Sequence, residues 1–124
     1  MKSQFSKRCE LFSQKLKRVD RGSFKTVFIP FKPQFKDVLL NGQKVMTSRT
    51  RTFGKCRDQF RIFGGTFEIL SVKTMMLNTI ATKFFNEEGC DSPEDFMRVW
   101  CEIHPYKGFQ PFQFVHVHIF RRIR

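Results

Sequence analysis

The sequence predicts an α+β fold, a small β-barrel with helices packed outside it. Three observations carry that expectation. Short β-prone runs alternate with segments of helical periodicity along the whole body of the chain. Two of those runs, Gln59 to Phe63 and Thr66 to Val72, meet at Gly64-Gly65, which reads as a hairpin turn. The last run, Phe112 to Phe120, alternates apolar and polar residues over the length of a long strand. At 124 residues there is room for one domain, residues 26–124, preceded by an arm at residues 1–25.

In the arm, Phe5, Cys9, Phe12, Leu16 and Val19 recur at helical spacing, and Arg21-Gly22-Ser23 ends the pattern. Eight Lys or Arg against two acids make it a basic amphipathic helix. It is expected to dock on the body with its basic side toward a nucleic acid; the alternative is an anionic membrane surface. Thr26 to Ile29 then reads as a strand ended by Pro30, and Pro33 opens a short helix that stops at Asn41-Gly42. A strand is expected from Lys44 onward. Leu77 to Glu88 reads as a helix with Leu77, Ile80, Ala81 and Phe84 on one face, stopping at Gly89. Ser92-Pro93-Glu94-Asp95 has the form of a helix start: an N-cap, a proline at the first helical position and acids in the first turn. Phe96, Val99, Trp100 and Ile103 are expected to face inward from that helix.

The charge is +12, and it is unevenly placed. Residues 1–85 hold 18 of the 23 Lys and Arg with only five acids, whereas residues 86–102 hold six acids against Arg98 alone. Such a basic body favours a phosphate-bearing partner, a nucleic acid or a nucleotide, over a merely soluble surface. With 17 Phe against one Trp and one Tyr, phenylalanine must carry nearly all aromatic burial. Any Phe left exposed in a basic groove is able to stack on bases.

No apolar stretch approaches the ~20 residues of a membrane span, and no apolar run follows the charged N-terminus as in a signal peptide. Cys9, Cys56, Cys90 and Cys101 form no C-x-x-C pair. A reducing, cytoplasmic setting is therefore expected, with no cofactor. Cys90, Cys101 and the histidines lack zinc-ligand spacing, so no metal is expected either. His116 and His118 share a strand face without a third ligand nearby in sequence, and His104 suits a helix end. All three are read as structural.

The densest chemistry lies at Gly42-Gln43-Lys44-Val45-Met46-Thr47-Ser48-Arg49. A cation, a hydroxyl and a guanidinium leave one helix-to-strand turn, which suits an anionic or carbonyl-bearing ligand. By strand alternation Thr47 and Arg49 share a face, and Lys44 falls on the other parity unless the turn is still rotating the chain. Arg49, Arg51, Lys55, Arg57 and Arg61 follow, interleaved with Thr50, Thr52 and Phe53, as a phosphate-contacting loop and strand.

Gly42-x-Lys44-x-x-Thr47-x-Arg49 resembles the G-x-K-T-x-T-x-R signature of ASCH domains, a group with a PUA-like β-barrel. Lys55-Cys56-Arg57-Asp58 stands where that family has a K-x-G-D turn. Glu87-Glu88-Gly89-Cys90-Asp91-Ser92-Pro93-Glu94-Asp95-Phe96, with Val99-Trp100, looks like the helix of archaeal-type members. Ile103-His104-Pro105, Gly108-Phe109 and Val117-His118-Ile119-Phe120 complete the order. The resemblance spans Thr26 to Ile123, about four fifths of the chain. It implies a module that binds RNA or a modified nucleoside in a cleft at the Gly42 to Arg49 turn. Some small ASCH proteins deacetylate N4-acetylcytidine with a lysine, a threonine and a glutamate. By position these correspond to Lys44 as base, Thr47 as nucleophile and Glu88 as proton shuttle, with Glu87 the other candidate for the carboxylate. A protein-interaction module in transcription or RNA metabolism is a further implied role. The chain departs from the pattern at Val45, where a threonine is usual, and at Arg57, where a glycine is.

Overall fold

The structure is a computed structural model and describes residues 24–124. The predicted arm helix lies outside the described residues. A 3-10 turn at Pro33–Phe35 runs directly into helix α1 (Lys36–Leu40). Pro33 suits that position because the N–H it lacks would have no helical partner there. The chain turns out of α1 at Gly42, whose φ of +87° is the left-handed conformation that glycine adopts without strain.

Four strands follow, interrupted by two helices: β1 (Met46–Arg49), β2 (Gln59–Ile62), β3 (Gly65–Met76), α2 (Leu77–Lys83), α3 (Pro93–Ile103) and β4 (Phe114–Arg122). The strands form one antiparallel sheet in the order β1-β4-β3-β2, curled into a half-barrel. The expected hairpin is present. Ile62 pairs with Gly65 around Phe63 and Gly64, both at positive φ, the conformation a two-residue turn needs to match strand twist. Between Ile69 and Ser71 the β3–β4 register shifts, so Ile69 and Leu70 are both buried and the sheet bends.

Phenylalanine fills the concave side. The Phe60 ring stacks on Phe67 at 5.1 Å and meets Phe120 edge-on at 5.2 Å, with Phe31 stacked on Phe60 at 5.7 Å. Helix α3 starts as its sequence demands: Ser92 Oγ accepts from the Asp95 N–H at 3.0 Å, with Pro93 following. Phe96, Val99 and Trp100 are buried.

Five local expectations need correction. Residues 26–29 form no regular strand. Only Thr26 bridges Gln59, in parallel, through Val27 N–H to Gln59 O and Gln59 N–H to Lys25 O, and among the described residues no backbone hydrogen bond carries the pairing on to residues 28–30. Strand β1 starts at Met46 rather than Lys44, since the Val45 and Met46 N–H groups both donate to the Glu87 carbonyl. For the same reason α2 ends at Lys83, and residues 84–89 unwind into turns that deliver that carbonyl. Strand β4 begins at Phe114 and continues to Arg122, because residues 105–113 turn against the start of α2 through Leu77 N–H to Gln113 O. Ile103 is 47% exposed, being the last residue of α3, where the helix ends on His104.

The family-pattern turn at Lys55 to Asp58 is also present, and Arg57 occupies its glycine position at φ +77°. The buried Asp58 carboxylate holds the turn by accepting from the Lys25 and Lys55 N–H groups, each at 3.0 Å. A left-handed non-glycine residue costs about 1–2 kcal/mol, so this turn is kept by its hydrogen bonds rather than by its backbone preference.

Two glycines allow a test of how tightly the fold grips Lys44. A Cβ on Gly42 would meet nothing, whereas one on Gly89 (φ +89°) would sit 2.9 Å from Val38 Cγ2 and 3.2 Å from Lys44 Cβ and Cδ. Gly42→Ala should cost about 1 kcal/mol and Gly89→Ala clearly more, about 2 kcal/mol or above. Urea unfolding of both variants measures the difference; equal losses would mean that the Lys44 stem shifts freely.

Candidate functional site

Lysine and glutamate are seldom buried unless paired. Lys44 and Glu88 are 3% and 4% exposed, and they are paired with each other. The link from α1 to β1 presents Lys44, whose backbone N–H is anchored on the Val38 carbonyl at 2.9 Å. The unwound segment after α2 presents Glu88, and the Glu87 carbonyl stitches that segment to β1. Lys44 Nζ donates to Met46 O at 3.0 Å, Glu88 O at 2.6 Å and Glu88 Oε1 at 3.3 Å. Three acceptors use all three donors of an ammonium. Burial pushes the Lys44 pKa down and the Glu88 carboxylate pulls it back up.

The other oxygen of Glu88 belongs to Ser48, whose Oγ donates to Oε2 at 2.6 Å. Ser48, rather than Thr47, is the β1 hydroxyl on this carboxylate. Thr47 borders the same cavity, and its Oγ accepts from Arg49 Nε at 2.9 Å. Arg49 Nη2 donates to Pro30 O at 2.6 Å, and its guanidinium lies 4.9 Å from the Phe31 ring centre and 5.3 Å from that of Phe53. Burial lowers the Arg49 pKa, against the opposing effect of Glu88.

These groups border a cavity of about 560 Å³. Phe31, Phe35, Phe53, Phe96 and Trp100 make much of its wall, with Lys44 Nζ 4.7 Å from the Phe35 ring centre. Trp100 Nε1 is buried with no hydrogen-bond partner among the described residues. Cys90 also borders the cavity. Its thiol is pushed up to about 11, first by burial, and is thus protonated and unreactive at neutral pH.

The structure separates the predicted cations. Arg49 and Arg51 converge on Phe53, with Arg51 Cζ 3.8 Å from that ring centre. Lys55 is exposed, Arg57 is half-buried, and Arg61 sits on β2, the opposite edge strand, with β4 and β3 between. Glu87 is buried like Glu88, but it is Glu88 whose carboxylate meets Lys44. Among the described residues no group of three His, Cys, Asp or Glu could hold a metal, and no helix is long and apolar enough to cross a membrane. His118 is fully buried. Its Nε2 accepts from the Phe53 N–H at 3.0 Å and its Nδ1 lies 3.4 Å from Thr47 O, so it braces the loop that carries Phe53.

The chain matches no family model and no curated protein. Its fold is nevertheless shared with solved structures. The ASCH domain from Lactobacillus crispatus JV V101 is 18% identical over 94% of each chain, with a TM-score of 0.56. Protein EF3133 from Enterococcus faecalis V583, of the DUF984 family model, is also 18% identical, with 94% of this chain on 88% of that one and a TM-score of 0.58. The hypothetical protein PH0355 is 11% identical, with 81% of this chain on 98% of that one and a TM-score of 0.59. At such identities the shared property is the fold. The chain is an α+β domain. More particularly, its fold is that of an ASCH domain, as the motif order in the sequence implies.

Two measurements probe the cavity and the groups that support it. Glu88→Ala would leave a buried ammonium without its counter-charge and should cost about 3–5 kcal/mol. Joint replacement of Lys44 and Glu88 by Met should cost less than that single change; a double variant weaker than Glu88→Ala would refute the pairing as the cause. The second concerns pH. Burial, above all, holds the His118 pKa below its ordinary value, and burial followed by Arg49 and Lys107 does the same for His104. The unfolded chain therefore takes up these protons first. Stability should be complete above the unfolded imidazole pKa of about 6.5 and decline as pH falls below it. His118→Gln should flatten that decline in unfolding experiments between neutral and mildly acidic pH.

Proposed function

We propose that the cavity binds a nucleoside, modified nucleosides included, either free or as part of RNA, and that Arg49 and Arg51 meet its phosphates. One observation carries this reading: a buried Lys44–Glu88–Ser48 cluster underlies a cavity walled by aromatic rings and flanked by guanidinium groups. A heteroaromatic base is flat, stacks on such rings, and carries donors and acceptors at its edge. Carboxylate, hydroxyl and indole N–H are complementary to that edge. The volume lies within the range of small-molecule sites, roughly 300–1,000 Å³. The net charge of +12 supports a polyanionic ligand. The ASCH-type fold agrees with the reading by analogy, since one fold hosts several activities. The expected cytoplasmic setting fits such ligands.

Titration with cytidine, N4-acetylcytidine and a short RNA tests the proposal. Phe31→Ala and Arg49→Ala should each weaken nucleoside binding by about tenfold, a loss of about 1.4 kcal/mol. RNA affinity should fall steeply with salt, and charge reversal at Arg51 should flatten that slope. A folded wild-type protein that binds none of the three ligands would sink the reading.

A second reading, an amidohydrolase, is supported by the Arg49 Nε–H held 2.9 Å from Thr47 Oγ beside a lysine with a lowered pKa. In that reaction Thr47 Oγ adds to the acetyl carbonyl carbon of N4-acetylcytidine while neutral Lys44 takes its proton. Glu88 passes a proton to the departing cytidine amine, and water then releases acetate from Thr47. A guanidinium on the hydroxyl oxygen favours the alkoxide. Chromatography of cytidine released by the wild type, Lys44→Ala, Thr47→Ala and Ser48→Ala decides the matter. Loss with Thr47→Ala and survival with Ser48→Ala supports this assignment; the reverse makes Ser48 the nucleophile.

A further inference from the structure

Most of the phenylalanines of the sheet and its covering elements are buried or half-buried, but Phe112, in the turn before β4, and Phe114, the first residue of β4, are 76% and 63% exposed. Phe114 belongs to a strip that begins at the cavity. Side chains alternate along a strand, so Phe114, His116 and His118 share one face of β4. In the register His116 lies opposite Arg49 of β1 and Thr74 of β3. At the inner end Phe53 borders the cavity, donates its N–H to His118 and carries the Arg51 guanidinium 3.8 Å from its ring centre. The outer end is Phe114, four residues and roughly 13 Å along the strand from His118. Phe112 lies two residues earlier in the chain, in the turn that leads into β4.

We propose that this strip is a track for single-stranded RNA leaving the cavity, with Phe114 and Phe112 as stacking platforms for bases next to the one inside. The inference rests on the nucleoside reading of the cavity and extends it to a polymer. Charge complementarity selects the occupant: residues 46–52, 71–76 and 111–122, which form the strip and its borders, include no acidic side chain. Cations beside exposed aromatic rings are the means by which single strands are held. Rings stack on any base, and guanidinium groups meet the backbone between bases. A duplex would keep its base faces covered and gain nothing from Phe112 or Phe114. Phe53 joins the two regions. It is both cavity wall and the platform under Arg51, so a strand with one base in the cavity passes directly onto the strip.

The test uses the full chain, a fluorescently labelled short oligouridine followed by anisotropy, and cytidine followed by calorimetry. Phe112→Ala with Phe114→Ala should weaken oligouridine binding about tenfold or more while leaving its salt slope and cytidine binding unchanged. Arg51→Ala should instead reduce the salt slope by about one. Phe114→Trp, which keeps a larger stacking face, should retain oligouridine affinity and gives a readout if the alanine pair fails to fold. Unchanged oligouridine affinity in the folded alanine pair overturns the track. Cytidine binding without oligouridine binding by the wild type overturns it too and leaves the cavity reading intact; absence of both removes the cavity reading itself.

Discussion

The Lys44–Glu88 pair sets the terms for the rest of the structure. Removing two charges from water costs several kcal/mol per ion, and their attraction offsets this only when their remaining hydrogen-bonding capacity is met. Here it is met in full for the ammonium, by Met46 O, Glu88 O and Glu88 Oε1, while Ser48 occupies the second carboxylate oxygen. Two of the ammonium's three acceptors are backbone carbonyls. The chain paths of β1 and of residues 84–89 are therefore part of the ion pair's coordination, and neither can shift alone. Gly89 follows Glu88 at positive φ because no side chain fits against Val38 and the Lys44 stem there.

That constraint also explains why β1, an edge strand of four residues, remains stable. An unpaired edge is a site for unwanted strand addition. The entry to β1 is covered because the Glu87 carbonyl takes the Val45 and Met46 N–H groups, and Phe120 N–H closes the other side on Val45 O. A polar cluster thus sits at the margin of the half-barrel while the interlocked rings of Phe60, Phe67 and Phe120 hold its centre. The division of labour follows the composition: phenylalanine supplies apolar burial, which leaves charged residues free to line the cavity and cover the exterior.

What could be read from the sequence was local. The Gly64 hairpin, the Ser92 cap, the Pro33 start and the stop at Gly42 each depend on a few neighbouring residues, and each is present. The order of the motifs implied the ASCH-type fold for the same reason: it is a series of such local devices. Long-range pairing was hidden. Nothing within residues 77–88 shows that the helix must unwind to bring a carbonyl to Val45. Nothing near Thr26 shows that its pairing stops after one bridge. Ser48 was within reach, because Lys44, Met46 and Ser48 share strand parity and a buried lysine needs acceptors and a carboxylate on its own side. The separation of Arg61 from Arg49 depends on strand order, which the sequence leaves open.

The two hydroxyls of β1 show how one short strand can offer opposite chemistries. Alternation sends Ser48 to a carboxylate and Thr47 to a guanidinium, although they are adjacent and both border the cavity. A ligand that donates to Glu88 either shares an oxygen with Ser48 or Lys44 or displaces one of them. If Ser48 is displaced, its hydroxyl turns to the ligand and the floor reads a base edge, which is recognition. If Lys44 is displaced, the amine loses the charge that raises its pKa, and burial then favours the neutral form that can take a proton from Thr47. The two proposed readings, binding and hydrolysis, thus differ in which partner of the same carboxylate a ligand would replace.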